Sequence, residues 1–185
     1  MTSARKATNA RKAFTLVELL LVIAIIGCLV SLLMPSLATM RQKADSLRCV
    51  SNMRQIGVAA LLYVNDHGQR TPVIEPWPSQ PVYSSTDGAQ TMLQALGPYG
   101  VTTDVLQCPS DLKGPNYYAK EGSSYQWFPG ASNQNTHAVT FAFPRMDNQS
   151  ATLPMSRLFL AFDYSAIHNG GSNVLFGDGH VASGD

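Results

Sequence analysis

An apolar run from Phe14 to Met34 constrains this chain more than any other feature. As a helix, its 21 residues would span about 31 Å, matching a bilayer hydrocarbon core of about 30 Å. Thr15, Gly27, Cys28 and Ser31 interrupt it, but all are small enough for a helix that satisfies its own backbone in lipid. Glu18 is different. A carboxylate in hydrocarbon is costly, and an ionisable residue there is a functional candidate that needs a partner. Pro35 removes a helical N–H, which predicts a kink or a break at that point. A secretory signal peptide, with Ser36-Leu37-Ala38 as its cleavage site, and a plain signal anchor are the simplest readings. Neither needs Glu18.

Charge is placed unevenly around this run. Residues 1–13 carry Arg5, Lys6, Arg11 and Lys12 with no acid, which leaves nine basic residues against twelve acidic ones in the remainder. A mildly acidic body argues against a nucleic-acid partner, which needs a basic face. No internal repeat at solenoid periods is present.

Lys12-Ala13-Phe14-Thr15-Leu16-Val17-Glu18-Leu19-Leu20 resembles the cleavage and methylation signal of type IV pilins and type II secretion pseudopilins. The resemblance implies that a prepilin peptidase removes a short basic leader by cutting between Ala13 and Phe14. Ala13 stands where the family usually has Gly. The new amine of Phe14 is then methylated, and Glu18 pairs with the N-terminal amine of a neighbouring subunit to set the register of a filament. It also implies an inner-membrane, single-pass protein in contact with lipid, its leader cytoplasmic and its C-terminal part periplasmic. The positive-inside rule alone does not decide this, because Arg41, Lys43 and Arg48 follow the apolar run closely.

Beyond Ser36, apolar residues recur at Leu37, Met40, Ala44, Leu47, Val50, Met53, Gly57, Ala60, Leu61 and Val64. This spacing predicts an amphipathic continuation of the helix to about Asn65, with Arg41, Gln42, Asp45, Arg48, Asn52 and Gln55 on its polar side. From residue 66 onward Pro and Gly alternate, which predicts a loop-rich connection. Within it, Gly88–Leu96 reads as a short helix capped by Thr86 or Asp87 and ended by Gly97.

Cys28 lies in the apolar run, leaving Cys49 and Cys108 in the exported part. The segments Leu47–Gly57 and Cys108-Pro109-Ser110-Asp111 are similar to elements of a pilin-like group that ends in a His-x9-Asp-Gly motif. An oxidising compartment permits a Cys49–Cys108 disulfide. It would close a loop of about 60 residues and stabilise by on the order of 4 kcal/mol. Two buried free thiols are the alternative.

Strand patterns accumulate from Ser123. Ser123–Phe128, His137–Phe143, Arg157–Phe162, Asn173–Phe176 and His180–Ala182 read as strands, the last two joined by Gly177-Asp178-Gly179. His168 and the pair Asp178-Gly179 match the His-x9-Asp-Gly motif. One reading is structural, with Asp178-Gly179 as a turn and His168 bonded to it. The other is a metal site built from Asp163, His168, Asp178 and His180. Two carboxylates and two imidazoles suit zinc, whereas carboxylates with backbone carbonyls suit calcium. Zinc and calcium both remain open, and the resemblance adds that some major pseudopilins bind calcium near the C-terminus. No other cofactor is expected. No nucleophile elbow, P-loop or metalloprotease motif is present, so the chain reads as a non-enzyme.

The expected fold is α+β and pilin-like: a long kinked N-terminal helix, half transmembrane and half amphipathic, packed on a small antiparallel sheet. The expected segments are a basic leader at 1–13, a polymerisation helix at 14–37, an amphipathic helix at 38–65, a connection at 66–122 and a sheet at 123–185. The expected role is a pseudopilus subunit for protein secretion, of the G type. Its partners would be prepilin peptidase, other copies or related pilins, and the assembly machinery. The alternatives are a type IV pilus subunit and, from another class, a metal-dependent enzyme using His168 and Asp178.

Overall fold

A computed structural model describes residues 15–81, 88–137, 139–142, 150–164, 168 and 171–183. The chain divides into two compact units between Arg41 and Gln42. Helix α1, Leu16–Asp66, contributes to both.

In the first unit α1 is long and apolar enough to cross a membrane, and its most apolar stretch buries nothing against protein. Pro35 lies within the helix, and helical residues continue on both sides of it, so the predicted break is absent. Ser31, Ser36 and Thr39 return their hydroxyls to carbonyls three residues back, at 2.8 Å each. Polar side chains here are therefore satisfied within the helix, as an apolar solvent requires.

In the second unit the buried stripe of α1 begins at Cys49 and runs through Asn52, Met53, Ile56, Gly57, Ala59, Ala60 and Val64. This corrects the predicted stripe at its start. Leu37, Met40 and Leu47 are half or more exposed. Asn52, placed on the polar side from sequence, is buried and donates its amide to the Gln107 carbonyl at 2.9 Å. The helix ends where Gly68 turns left-handed (φ 61°), letting the Gln69 N–H bond back to the Val64 carbonyl at 2.9 Å.

The connection contains α2 (Met92–Leu96), α3 (Pro109–Leu112) and α4 (Tyr117–Glu121). Helix α2 starts four residues later than expected. Gln90 is held extended by backbone bonds to Val73 and Glu75, and Thr91 then caps the helix through a reciprocal box with Gln94. Thr86 and Asp87 lie outside the described residues.

Strands β1 (Tyr125–Trp127), β4 (Phe159–Asp163), β5 (Val174–Phe176) and β6 (Val181–Ala182) form one antiparallel sheet in the order β1-β4-β5-β6. A separate antiparallel pair joins β2 (Val139–Ala142) to β3 (Ser150–Leu153). Strand β3 had no counterpart in the sequence reading. Met53, Ile56, Ala59 and Ala60 of α1 share one core with Tyr125, Trp127, Leu160, Ala161 and Leu175 of the sheet. The fold is thus α+β, with a long helix packed on a small antiparallel sheet.

Contact between helix and sheet is closest at Gly57. A Cβ there would stand 2.9 Å from Leu175 Cδ1 and 3.3 Å from Gly179 Cα. Gly57→Val is therefore expected to lower the unfolding free energy by about 1–3 kcal/mol, the usual cost of overpacking. Urea denaturation measures it. A loss under about 0.5 kcal/mol, the range of ordinary surface changes, would contradict so close an approach.

Candidate functional site

Three groups of polar residues stand out, one in the first unit and two in the second. In the first, the Glu18 carboxylate accepts hydrogen bonds from the Thr15 N–H at 3.0 Å and the Thr15 hydroxyl at 2.8 Å. The Glu18 N–H in turn donates to the Thr15 hydroxyl at 3.3 Å. This is a capping box on the first turn of α1, and it occupies the carboxylate within its own chain. The signal, Thr15-Leu16-Val17-Glu18, was visible in the sequence but overlooked beside the ion-pair reading. Ala13 and Phe14 lie outside the described residues.

The second group is buried. A disulfide joins Cys49 of α1 to Cys108, the residue preceding α3. His168 Nε2 lies 3.5 Å from Cys108 Sγ and 3.4 Å from the Asp163 carboxylate at the end of β4. A two-residue bridge to Gly171 holds His168 in place: its N–H bonds to the Gly171 carbonyl and its carbonyl accepts the Gly171 N–H. Asn173 donates to Asp163 Oδ2 twice, from its backbone at 2.7 Å and its side chain at 3.0 Å. Among the described residues Asp163 Oδ1 has no hydrogen-bond partner.

Asp111 anchors the adjoining loop. Its carboxylate accepts the N–H groups of Tyr117 and Tyr118, each at 2.9 Å, and the Ser124 hydroxyl at 2.7 Å. The Ser124 oxygen itself accepts the Cys108 N–H at 3.0 Å. Asp111 is fully buried. It was read from sequence only as part of the Cys-Pro-Ser-Asp element, because nothing local says that its partners lie six to thirteen residues downstream.

The third group sits on the turn after β5. Asp178 Oδ1 lies 2.5 Å from His180 Nδ1, and both side chains are substantially exposed. Gly179, in the same turn, has φ 88°. The four expected metal ligands therefore fall into two pairs, a buried Asp163–His168 and an exposed Asp178–His180. Among the described residues they do not form a group of three ligand atoms within reach of one ion. The cause is topological. Asp163 pairs with Tyr125 on β1, whereas Asp178 projects from the hairpin between β5 and β6. His168 and Asp178, the pair assigned to an enzyme, likewise have separate partners.

Residues 8–34 match the prokaryotic N-terminal methylation motif. Over 112 residues the chain is 30% identical to type II secretion system core protein G of Escherichia coli strain K12. That alignment covers 60% of this chain and 73% of the relative. The chain belongs to the pseudopilin family. No solved structure matches it.

In this pseudopilin Asp163 carries unusual electrostatics. Burial pushes its carboxyl up from the ordinary 3.8 to about 7, opposed by the Asn173 hydrogen bonds and helped by the Asp111 charge. Between those values the folded chain keeps a proton that the unfolded chain has lost, so stability falls as pH rises through the window. Asp163→Asn is expected to remove this slope. Chemical denaturation between about pH 4 and about pH 7 should show the wild type losing on the order of 3 kcal/mol more than the variant. Parallel profiles would refute the assignment.

Proposed function

We propose that the chain is a structural subunit of a type II secretion pseudopilus. The precursor spans the inner membrane once through the first part of α1, with the leader cytoplasmic and the folded second unit periplasmic. Prepilin peptidase cuts between Ala13 and Phe14, Phe14 is methylated, and the mature chain assembles with copies of itself or related pilins alongside the secretion machinery. The observation that carries this reading is the coincidence of the methylation motif at residues 8–34 with a helix whose apolar face has no protein cover.

Glu18 is the assembly group in this reading. A carboxylate within a membrane helix is costly, by up to about 2.5–3.5 kcal/mol at the helix centre and less near an end, and Glu18 lies in the first turn. The Thr15 cap offsets part of that cost in the isolated chain. Cleavage creates a cation, the Phe14 amine, which on a neighbouring subunit offers a stronger, charge-assisted partner. Removing the leader thus exchanges a local cap for an intersubunit ion pair, and processing precedes polymerisation for an electrostatic reason.

Mass spectrometry of the mature protein should find methylated Phe14 at the N-terminus; Thr39 there would mean ordinary signal-peptide cleavage and would end the proposal. Glu18→Ala should leave membrane insertion unchanged. It should reduce recovered filaments at least about tenfold, the equivalent of about 1.4 kcal/mol per contact. Normal filaments from that variant would remove Glu18 from the assembly mechanism.

A further inference from the structure

We propose that this chain has a second, dithiol form that binds one zinc ion through Cys49 Sγ, Cys108 Sγ, His168 Nε2 and the Asp163 carboxylate. The ligand atoms of Cys49, Cys108 and His168 all lie within 4.8 Å of one another. His168 Nε2 is central, 3.5 Å from Cys108 Sγ and 3.4 Å from Asp163 Oδ2. Zinc bonds of about 2.0–2.1 Å to nitrogen and oxygen and about 2.3 Å to sulfur put ligand atoms about 3.3–3.6 Å apart at tetrahedral angles. The two separations around His168 match tetrahedral edges; Asp163 lies outside the three-atom group, so its carboxylate must turn toward the sulfurs to complete the site. The Cα atoms of Cys49 and Cys108 are 5.1 Å apart, so once the bond between them opens both thiolates reach the same ion.

Burial and donor type support the same assignment. Cys49 and Cys108 are fully buried, and Asp163 and His168 are at most 5% exposed. A disulfide by itself needs neither a buried carboxylate nor an imidazole beside it, and burying them is costly. Among the described residues, Asp163 Oδ1 and Asn173 Oδ1 are buried oxygens near the disulfide without a hydrogen-bond partner, and the first belongs to a metal-ligating carboxylate. Two thiolates with an imidazole and a carboxylate select zinc over calcium or magnesium, which prefer all-oxygen sites.

The two forms exclude each other. A dithiol reductant converts the disulfide to two thiols and is itself oxidised to a disulfide. Zinc then displaces one proton from each thiol. Oxidation of the two thiolates by a disulfide donor takes two electrons from the sulfurs and releases the ion. In both forms Cys49 on α1 stays tied to Cys108 before α3, by a covalent bond in one and by the metal in the other. A chain that has not yet been oxidised would thereby keep its helix on its core.

The test uses the full chain in detergent with Cys28→Ser, which removes the remaining thiol. It is reduced with a phosphine, loaded with zinc chloride, desalted and analysed for metal. One zinc per reduced chain and none per oxidised chain are expected, with release on adding diamide. Cobalt in place of zinc should give a thiolate charge-transfer band and the intense visible bands of a tetrahedral ion. His168→Gln and Asp163→Asn should each weaken zinc binding at least tenfold, while air oxidation still forms the Cys49–Cys108 bond and reports that the variants fold. Zinc-free reduced protein, an octahedral cobalt spectrum, or undiminished binding by both variants would overturn the proposal. If a variant fails to fold, the wild-type stoichiometry and cobalt spectrum decide alone.

Discussion

The face of α1 from Cys49 to Val64 is the surface on which the second unit is built. Met53, Ile56, Ala59 and Ala60 meet the aromatic side chains of β1 and the aliphatic ones of β4 and β5 in a single core. Small residues make that contact close. Gly57 lets Leu175 and the Gly179 backbone approach the helix axis, and alanines at 59 and 60 keep the next turn thin. Several strands of three residues or fewer have little stability of their own. Their register is maintained because the helix covers one face of the sheet.

Around this apolar contact lies a chain of buried polar groups that fastens the loops. Asp111 ties the start of α4 to Ser124, and Ser124 holds the backbone of Cys108. Cys108 is bonded to α1, and the imidazole beside it leads to Asp163 at the end of β4 and on to Asn173 just before β5. The network therefore links helix, connection and sheet through side chains rather than through regular backbone pairing. Such a network is strong when satisfied and costly where it is not, and among the described residues it remains open at Asp163 Oδ1 and Asn173 Oδ1.

The same helix answers to two solvents. Up to about Met40 its apolar residues are exposed in every direction, and its hydroxyls bond back to its own carbonyls. From Cys49 onward one face is buried, and the exposed side mixes Ser51, Arg54 and Gln55 with Val58 and Leu62. A first half that is apolar all round suits lipid or burial in protein rather than water. Pseudopilin membership agrees with this change of surface along one helix, whose membrane-capable first part is continuous with the part that packs on the sheet.

Much of this was legible in the sequence because it rests on local pattern. Residue type and order alone determined the apolar span, the four basic residues before it, the lone carboxylate Glu18, the helical period after Pro35 and the Gly177-Asp178-Gly179 turn. Short-range chemistry also explains what could have been read and was not, such as the Thr15–Glu18 cap and the Thr91–Gln94 box. Tertiary structure alone decided where the buried stripe starts and why Asn52 belongs inside, since its partner, Gln107, is 55 residues away. It also decided that Asp163 and His168 meet beside Cys49 and Cys108 while Asp178 and His180 stay apart on their hairpin. Those neighbourhoods arise from strand pairing and from a helix brought against a distant loop. Sequence spacing carries no measure of either, because the chain between the partners folds back through turns whose directions only the packed core selects.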